Sequence, residues 1–347
     1  MVGRDAGAGA GAAGAPTSSG AARELHRSLP GYEPTPLVDL PVLAVELGVG
    51  QVLVKDESSR LGLPAFKALG ASWASRQVLE RSPGAELVTA TDGNHGRAVA
   101  RMAARFGTTA TIFVPAVMPQ STAALIAGEG AEVVRVDGDY DEAVHAAAAH
   151  ADAPGRELVQ DTAWAGYEEV PQWIVDGYAT LLEEVDEALG RQPDLVVVPV
   201  GVGSLAQAVV AHYRFPTGDT VGAADGTRVM SVEPDTAACV VTSLLAGEPR
   251  SVPTGDTVMA GLNCGTVSSL AWPILRDGLS AAVTVTDDEA LHASADLGTL
   301  GVTSGPCGAA TLAGLRAALG DPDRRRELGL DDQAVVVLLS TEGESAA

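Results

Sequence analysis

The sequence predicts an α/β protein built on largely parallel β-sheets. Short runs rich in valine and isoleucine alternate along the chain with amphipathic stretches, as in proteins whose parallel strands are joined by helices. The length of 347 residues fits about two domains, and a hydrophobic content of 46% is enough for a sizeable core. We therefore expect a folded chain rather than a disordered one.

The individual elements follow from local patterns. The clearest predicted helix spans residues 171–189, where apolar residues recur at spacings of three and four. Further helices are expected from residue 71, near residue 97 and over 205–213. Residues 1–22 are mostly Gly, Ala, Ser and Pro, which predicts a flexible tail. The predicted strands are 51–55, 86–91, 108–114, 132–136, 157–160, 195–200, 229–232, 282–285 and 334–339.

Charge and cysteine content argue against several classes of protein. Lys and Arg number 22 against 45 Asp and Glu, so the formal net charge of −23 would repel a nucleic-acid backbone. No apolar run approaches the roughly 20 residues that span a bilayer, and the N-terminus lacks the features of a signal peptide. The three cysteines form no C-x-x-C pair, which is typical of neither a disulfide framework nor a zinc site. We expect a soluble cytoplasmic protein without a nucleic-acid, membrane or metal partner.

Lysine is almost absent from the chain. Of the 22 basic residues, only Lys55 and Lys67 are lysines. A guanidinium cannot form an imine, whereas a lysine amine can. Lys67 follows Phe66 at the predicted start of a helix, where burial and the helix dipole would lower the pKa of the amine and favour a nucleophile. Lys55 lies beside Asp56 and Glu57 and is expected to be ion-paired.

A glycine-rich loop follows the strand predicted to end at residue 200. Backbone N–H groups at the start of the next helix would point outward, and two glycines would let a phosphate approach closely. The loop also fits the dinucleotide-binding fingerprint, with Glu233 as a ribose ligand, or a tight turn without any ligand. The loop alone leaves these alternatives open. It consists of Gly201, Val202, Gly203 and Ser204.

Two further loops contain candidate acids. Asp92 and Asn94 follow the predicted strand 86–91, and their types are also typical of turns and helix caps. In a functional interpretation, Asn94 donates to a ring oxygen and Asp92 accepts a substrate proton. Asp161 follows the predicted strand 157–160 and by itself indicates only a loop or cap. His95 receives no role.

Together these segments resemble a known family. Their order is that of the pyridoxal-phosphate enzymes of the tryptophan-synthase-β type, also called fold type II. The pattern is similar in particular to the diaminopropionate ammonia-lyases, over about residues 32–343. The motifs that carry this resemblance are KDES at 55–58, AFK at 65–67, TDGNHGR at 91–97, QDTAW at 160–164 and MAGL at 259–262.

The resemblance implies an architecture and an assembly. It implies two three-layer α/β domains with the cofactor in the cleft between them. The larger, cofactor-binding domain would comprise 23–80 and 191–347, the smaller domain would comprise 81–190, and the tail would be 1–22. A homodimer is also implied.

The resemblance also implies roles for the candidate residues. Lys67 would hold pyridoxal 5'-phosphate as a Schiff base, and Asn94 would contact the 3-hydroxyl of the cofactor. The loop of Gly201, Val202, Gly203 and Ser204 would bind its phosphate. Either Ser340 or Thr341, at the end of the last strand, would face the pyridine nitrogen. Glu233 would lie near the cofactor without a defined role.

The implied reaction depends on the two acids. Asp92 and Asp161 would be catalytic, with a small amino acid as the substrate. A β-amino leaving group is already an ammonium, which carboxylates recognise well. This favours elimination from 2,3-diaminopropionate to give pyruvate and ammonia. The alternatives are a serine/threonine dehydratase-like lyase, a biosynthetic relative that acts on another β-substituted amino acid, an NAD-dependent oxidoreductase, and a cofactor-binding protein without catalysis.

Overall fold

Two β-sheets organise the protein. The computed structural model describes residues 2–3, 19–215 and 226–343. The strands are β1 (Val2–Gly3), β2 (Leu37–Asp39), β3 (Gln51–Asp56), β4 (Glu86–Ala90), β5 (Ala110–Pro115), β6 (Glu132–Val136), β7 (Arg156–Leu158), β8 (Leu195–Pro199), β9 (Arg228–Pro234), β10 (Ala281–Val285) and β11 (Val335–Ser340).

Helices connect most of these strands. Within the described ranges, no helix combines the length and the apolar character that crossing a bilayer needs. The helices are α1 (Ser19–Ser28), α2 (Pro41–Leu47), α3 (Lys67–Arg81), α4 (Asn94–Phe106), α5 (Gln120–Gly128), α6 (Tyr140–Ala151), α7 (Glu169–Leu189), α8 (Ser204–Arg214), α9 (Cys239–Ala246), α10 (Ala271–Gly278), α11 (Asp287–Thr299), α12 (Pro306–Leu319) and α13 (Pro322–Leu328).

The strand order of each sheet reverses once. The seven-stranded sheet has the order β1-β10-β9-β8-β11-β3-β2 and is antiparallel only at its two edges. After β8, the chain adds β9 and β10 on one side of this strand. It then returns and places β11 on the other side of β8. The four-stranded sheet, β6-β5-β4-β7, is parallel throughout and reverses between β4 and β7. Ligands of open α/β sheets bind in the crevice that such a reversal opens at the carboxyl ends of the strands.

The predicted site residues lie at these two reversals. Asp92 and Asn94 follow β4, and Asp161 follows β7. The loop 201–204 follows β8, and Ser340 ends β11. Lys67 is the exception, because it begins α3 after the neighbouring strand β3. Both crevices therefore present candidate residues at the position where a parallel sheet binds its ligand.

The predicted fold class is confirmed, and each predicted strand overlaps an observed one. The starts of helices were predicted less well, since α3 begins at Lys67 rather than at residue 71 and α4 at Asn94 rather than near 97. Both first turns lie in site loops, which lack the apolar periodicity that marks a helix. Residues 19–22 of the predicted tail begin α1, and Val2–Gly3 pair with β10. The rest of that tail lies outside the described residues.

Helices α3 and α7 cross in close contact. A Cβ atom at Gly177 would lie 2.6 Å from the carbonyl oxygen of Leu69, and one at Gly70 would lie 2.6 Å from the Tyr178 ring. Glycine is therefore required at both positions. The contact fixes the helix that begins at Lys67 against the longest helix of the described chain.

A buried ion cluster secures the segment that leads to Lys67. Lys55 is ion-paired as expected, but its partner is Glu184 of α7, at 2.6 Å, rather than the neighbouring acids. Arg60 contacts both Glu57, at 2.6 Å, and Glu184, at 2.7 Å. All four side chains are almost completely buried. The cluster joins the end of β3 to α7 and thereby limits the movement of the chain before α3.

We expect Glu184→Gln to destabilise the protein by about 3–5 kcal/mol, because it removes the carboxylate that pairs with buried Lys55 and shares buried Arg60 with Glu57. Burial raises the pKa of Glu184, but Arg60 and Lys55 outweigh it and lower the pKa to about 2. The stabilisation is therefore present at neutral pH and is lost as pH falls from the ordinary glutamate range toward 2. Urea unfolding at pH 7 and pH 3 measures the difference from wild type.

Glu187→Gln is the matched control on the same helix. Glu187 is 58% exposed and pairs with Arg23. We expect a much smaller loss, because solvent screens this pair. Equal losses in the two variants would contradict a special role for the buried cluster.

Candidate active site

Asp161 connects three of the predicted site segments. Its Oδ2 atom accepts a hydrogen bond from Lys67 Nζ at 2.6 Å, and its backbone carbonyl accepts one from the Ser204 hydroxyl at 2.8 Å. Lys67 begins α3, Asp161 follows β7, and Ser204 begins α8. The structure thus brings together residues that are far apart in the chain, including Lys67 and Asp161, which are 94 positions apart.

The environment of Lys67 corrects the prediction of a lowered pKa. Lys67 lies at a helix N-terminus, as expected, and its side chain is 21% exposed. Burial by itself lowers the pKa of the amine, but the charge and hydrogen bond of Asp161 outweigh it and hold the pKa above its ordinary value. The sequence could not reveal this carboxylate as a neighbour. Lys67 is an ammonium in this arrangement.

The two candidate acids have opposite electrostatics. Burial raises the pKa of Asp161, but the charge and the hydrogen bond of Lys67 overcome this and lower it to about 2. Asp92 as a whole residue is exposed. The surrounding protein nevertheless desolvates its carboxyl group and raises its pKa to about 7, and the negative charges of Asp161 and Asp141 add to this effect. Asp161 is therefore a permanent anion, and Asp92 can exchange a proton near neutral pH. Such divergence is typical of acid–base pairs in active sites.

The loop between β8 and α8 has the geometry of an anion site. Gly203 precedes the first turn of α8 with φ +102°, a conformation that favours glycine. A Cβ at Gly201 would lie 2.9 Å from the Gly261 carbonyl oxygen and 3.0 Å from Cys264 Sγ. The first N–H groups of a helix have no intrahelical partner and attract anions. The Ser204 hydroxyl already donates to Asp161, so this residue offers its backbone N–H.

Asn94 contacts a carboxylate that sequence reasoning missed. Its Nδ2 atom donates to Glu342 Oε2 at 2.7 Å. Burial raises the pKa of Glu342, and the Cys307 thiol also hydrogen-bonds to this carboxylate. The available signal was position, because Glu342 directly follows Ser340 and Thr341 at the carboxyl end of β11. The sequence prediction for this strand end names only the hydroxyl residues.

Ser340 and Thr341 differ in their engagement. The Ser340 hydroxyl is buried and donates to Ser304 Oγ at 2.7 Å. The Thr341 carbonyl accepts from the N–H of Phe66 at 3.1 Å, which places Thr341 beside the residue that precedes Lys67. The hydroxyl of Thr341 has no hydrogen bond within the described part of the chain. Thr341 is therefore the freer of the two hydroxyls.

Glu233 has a structural contact. Its carboxylate accepts the backbone N–H groups of Val240 and Val241, at 2.7 and 2.8 Å, in the first turn of α9. Burial raises its pKa to about 7. These contacts occupy the carboxylate in capping a helix, so neither a ribose contact nor a cofactor contact is needed to explain it.

Comparisons with known proteins agree with this geometry. The sequence profile of the pyridoxal-phosphate dependent enzymes matches residues 28–342. The diaminopropionate ammonia-lyase of Escherichia coli strain K12 is 37% identical over 355 residues, which cover 93% of this chain and 88% of that protein. The chain belongs to the diaminopropionate ammonia-lyase family of pyridoxal-phosphate dependent enzymes.

Structural comparison gives the same relationship. The crystal structure of the Escherichia coli enzyme in complex with an aminoacrylate-PLP reaction intermediate matches with a TM-score of 0.85 and 36% identity, covering 94% of this chain and 88% of that one. The threonine dehydratase of Mycobacterium leprae is more distant, at 28% identity over 295 residues, which cover 83% of this chain and 65% of that protein.

The residues of this chain fit the family cofactor. The close approach of Gly201 to the 261–264 segment leaves no space for a side chain, as expected where backbone must approach a phosphate. An amine, Lys67, lies one contact away from the same loop through Asp161. The chain thus offers both an imine-forming group and an anion site, each in contact with Asp161.

We expect Gly203→Ala to weaken pyridoxal-phosphate binding by about tenfold, the effect of losing one charge-assisted hydrogen bond. The added methyl would lie 3.0 Å from both Ala271 Cβ and Leu275 Cδ1 and would disfavour the φ of +102°. Gly190→Ala is the control, because Gly190 also has a positive φ, of +69°, but has open space around it. Absorbance titration should show weaker binding only for Gly203→Ala, and equal affinities would refute the phosphate site.

Proposed function

We propose that this protein catalyses the α,β-elimination of 2,3-diaminopropionate. With one water, the products are pyruvate and two molecules of ammonia. The observation that supports this most strongly is the pair of acids, since Asp161 already binds one primary ammonium, that of Lys67, at 2.6 Å. Asp92 adds a carboxyl group with a pKa of about 7. A diamino substrate needs both an anionic contact and a proton acceptor.

The cofactor-binding residues follow from their positions. Lys67 would carry pyridoxal 5'-phosphate covalently, and the backbone N–H groups of the loop 201–204 would bind the phosphate. Asn94, held by Glu342, would donate its second amide hydrogen to the 3-hydroxyl. Thr341 rather than Ser340 would face the pyridine nitrogen, because the Ser340 hydroxyl already donates its hydrogen to Ser304. When bound, the cofactor withdraws electrons from the substrate Cα through its ring.

The acids carry out different tasks. Asp161, a permanent anion, holds the β-ammonium. The carboxylate of Asp92 takes the proton from Cα of one enantiomer, and Lys67 takes it when the other enantiomer is bound. The β-ammonium is already protonated, so it leaves Cβ as neutral ammonia with the electron pair of the C–N bond. No acid is needed for its departure.

The direct test combines labelling with an assay. Borohydride reduction of the purified protein should fix the cofactor on the peptide that contains Lys67. Both enantiomers of 2,3-diaminopropionate should be tested for pyruvate formation, with serine and threonine in parallel. Ammonia and pyruvate from a diaminopropionate enantiomer, with much slower release from serine, support the proposal. The absence of turnover with both enantiomers refutes it.

Water elimination from serine or threonine is the second candidate. A hydroxyl leaving group needs a proton, and the partly protonated Asp92 could supply it at neutral pH. The same assay decides between the candidates, because a dehydratase releases ammonia faster from serine or threonine.

We also propose a domain organisation and an assembly on the basis of the family resemblance. The seven-stranded sheet marks a larger domain, 23–80 with 191–347, and the four-stranded sheet marks a smaller one, 81–190. The cofactor lies in the cleft between them. The enzyme is a cytoplasmic homodimer. Sedimentation analysis of the holoenzyme measures its mass in solution, and cell fractionation measures its location.

A further inference from the structure

His95 has a fixed tautomer. Its ring is 4% exposed, and Nε2 lies 2.7 Å from the backbone carbonyl oxygen of Val159. A carbonyl oxygen can only accept, so Nε2 carries the ring proton and Nδ1 of the neutral ring is a bare acceptor. Burial favours this neutral ring, because it lowers the pKa of His95.

The bare nitrogen faces Asp161. Nδ1 is buried and has no hydrogen-bond partner among the residues that the structure describes. Its distance to Asp161 Oδ2 is 3.9 Å, too long for a direct contact. That distance is less than twice a hydrogen bond of about 2.9 Å, so one donor atom between them could reach both acceptors. A buried acceptor without a donor is costly and marks a place where a ligand can bind.

The chemistry of that ligand follows from the groups around the gap. Both atoms accept and neither donates, and one belongs to a permanent anion. Asp161 already binds the primary ammonium of Lys67. The position of this carboxylate is therefore compatible with binding a primary ammonium. An ammonium has three hydrogens and can satisfy both acceptors at once. A hydroxyl has one hydrogen and leaves one acceptor unsatisfied.

We infer that His95 Nδ1 and Asp161 Oδ2 together bind the β-ammonium of the substrate, and that His95 thereby selects diamino acids over hydroxy amino acids. This inference rests on the proposed function and adds a specificity residue to it. The β-ammonium also needs no acid for its departure, whereas a hydroxyl leaving group does.

Two variants separate the acceptor from the structural contact. In His95→Gln, the amide can still donate to the Val159 carbonyl but leaves no acceptor at the Nδ1 position. In His95→Asn, the side-chain oxygen can replace Nδ1, while the bond to Val159 is lost. We expect His95→Gln to lower kcat/KM for 2,3-diaminopropionate by about tenfold or more, as for loss of a hydrogen bond to a charged group. We expect His95→Asn to remain within about threefold of wild type despite a lower melting temperature.

Serine is the comparison ligand, measured as a substrate or as a competitive inhibitor. Its kcat/KM as a substrate, or its inhibition constant as a competitor, should stay within about twofold of the wild-type value in His95→Gln. An equal loss for both ligands, or a loss in His95→Asn as large as in His95→Gln, would overturn the inference. Wild-type protein that does not act on diaminopropionate would refute the proposed function before any variant is compared.

A second measurement does not depend on turnover. Nitrogen-15 NMR of histidine-labelled protein, with and without pyridoxal phosphate, reports the protonation of each ring nitrogen. We expect the His95 signals, assigned by their absence in His95→Asn, to show protonated Nε2 and unprotonated Nδ1 at neutral pH. A protonated Nδ1 would overturn the inference even if the variants lost activity, and this measurement remains decisive if His95→Gln does not fold.

Discussion

Lys67→Ala should abolish the visible absorbance of bound cofactor and reduce turnover to the uncatalysed background. The amine is the imine-forming group of the proposed site, and alanine offers no replacement. The phosphate loop is untouched, so pyridoxal phosphate should still bind weakly but remain removable by dialysis. Absorbance spectra before and after dialysis, together with pyruvate assays, measure both effects.

The chain provides a matched control for this variant. Lys55 is the only other lysine, and it is buried against Glu184 rather than paired with Asp161. Lys55→Arg retains a cation in that ion pair and should keep the absorbance, the borohydride label and most of the turnover. A label that persists in Lys67→Ala, or that disappears in Lys55→Arg, would contradict the assignment of the anchor.

Asp92→Asn should keep the absorbance and lower kcat by about 10²–10⁴-fold, the usual contribution of a general base. The amide is similar in size but cannot accept the proton. In wild type, kcat/KM for the enantiomer that uses Asp92 should fall as pH drops below about 7, because the carboxyl group becomes protonated there. Asp92→Asn should lose this acid limb of the profile.

Asp141→Asn is the control for the pH dependence. Asp141, in the first turn of α6, is exposed, and its charge contributes to the raised pKa of Asp92. Its removal should shift the acid limb by a fraction of a pH unit toward lower pH and leave the maximal rate unchanged. An acid limb that persists in Asp92→Asn would identify another group as the base.

Local pattern was sufficient for the fold class, and the family resemblance supplied the roles in the candidate site. Strands and helices arise from the periodicity of neighbouring residues, and the chain order of the loops after β4, β7 and β8 already indicated where ligands could bind. The scarcity of lysine singled out Lys67 without any structure. These features depend on local periodicity, chain order and composition, so they can be read directly from the sequence.

The protonation states and the partners needed the tertiary structure. Lys67 becomes a stable ammonium because of Asp161, 94 residues away, and Asn94 is oriented by Glu342, 248 residues away. The tautomer of His95 depends on one backbone carbonyl, that of Val159. Hydrogen bonds and pKa values are set by atoms within a few ångströms. Which atoms those are depends on how the two sheets pack, and no local pattern of residues contains that information.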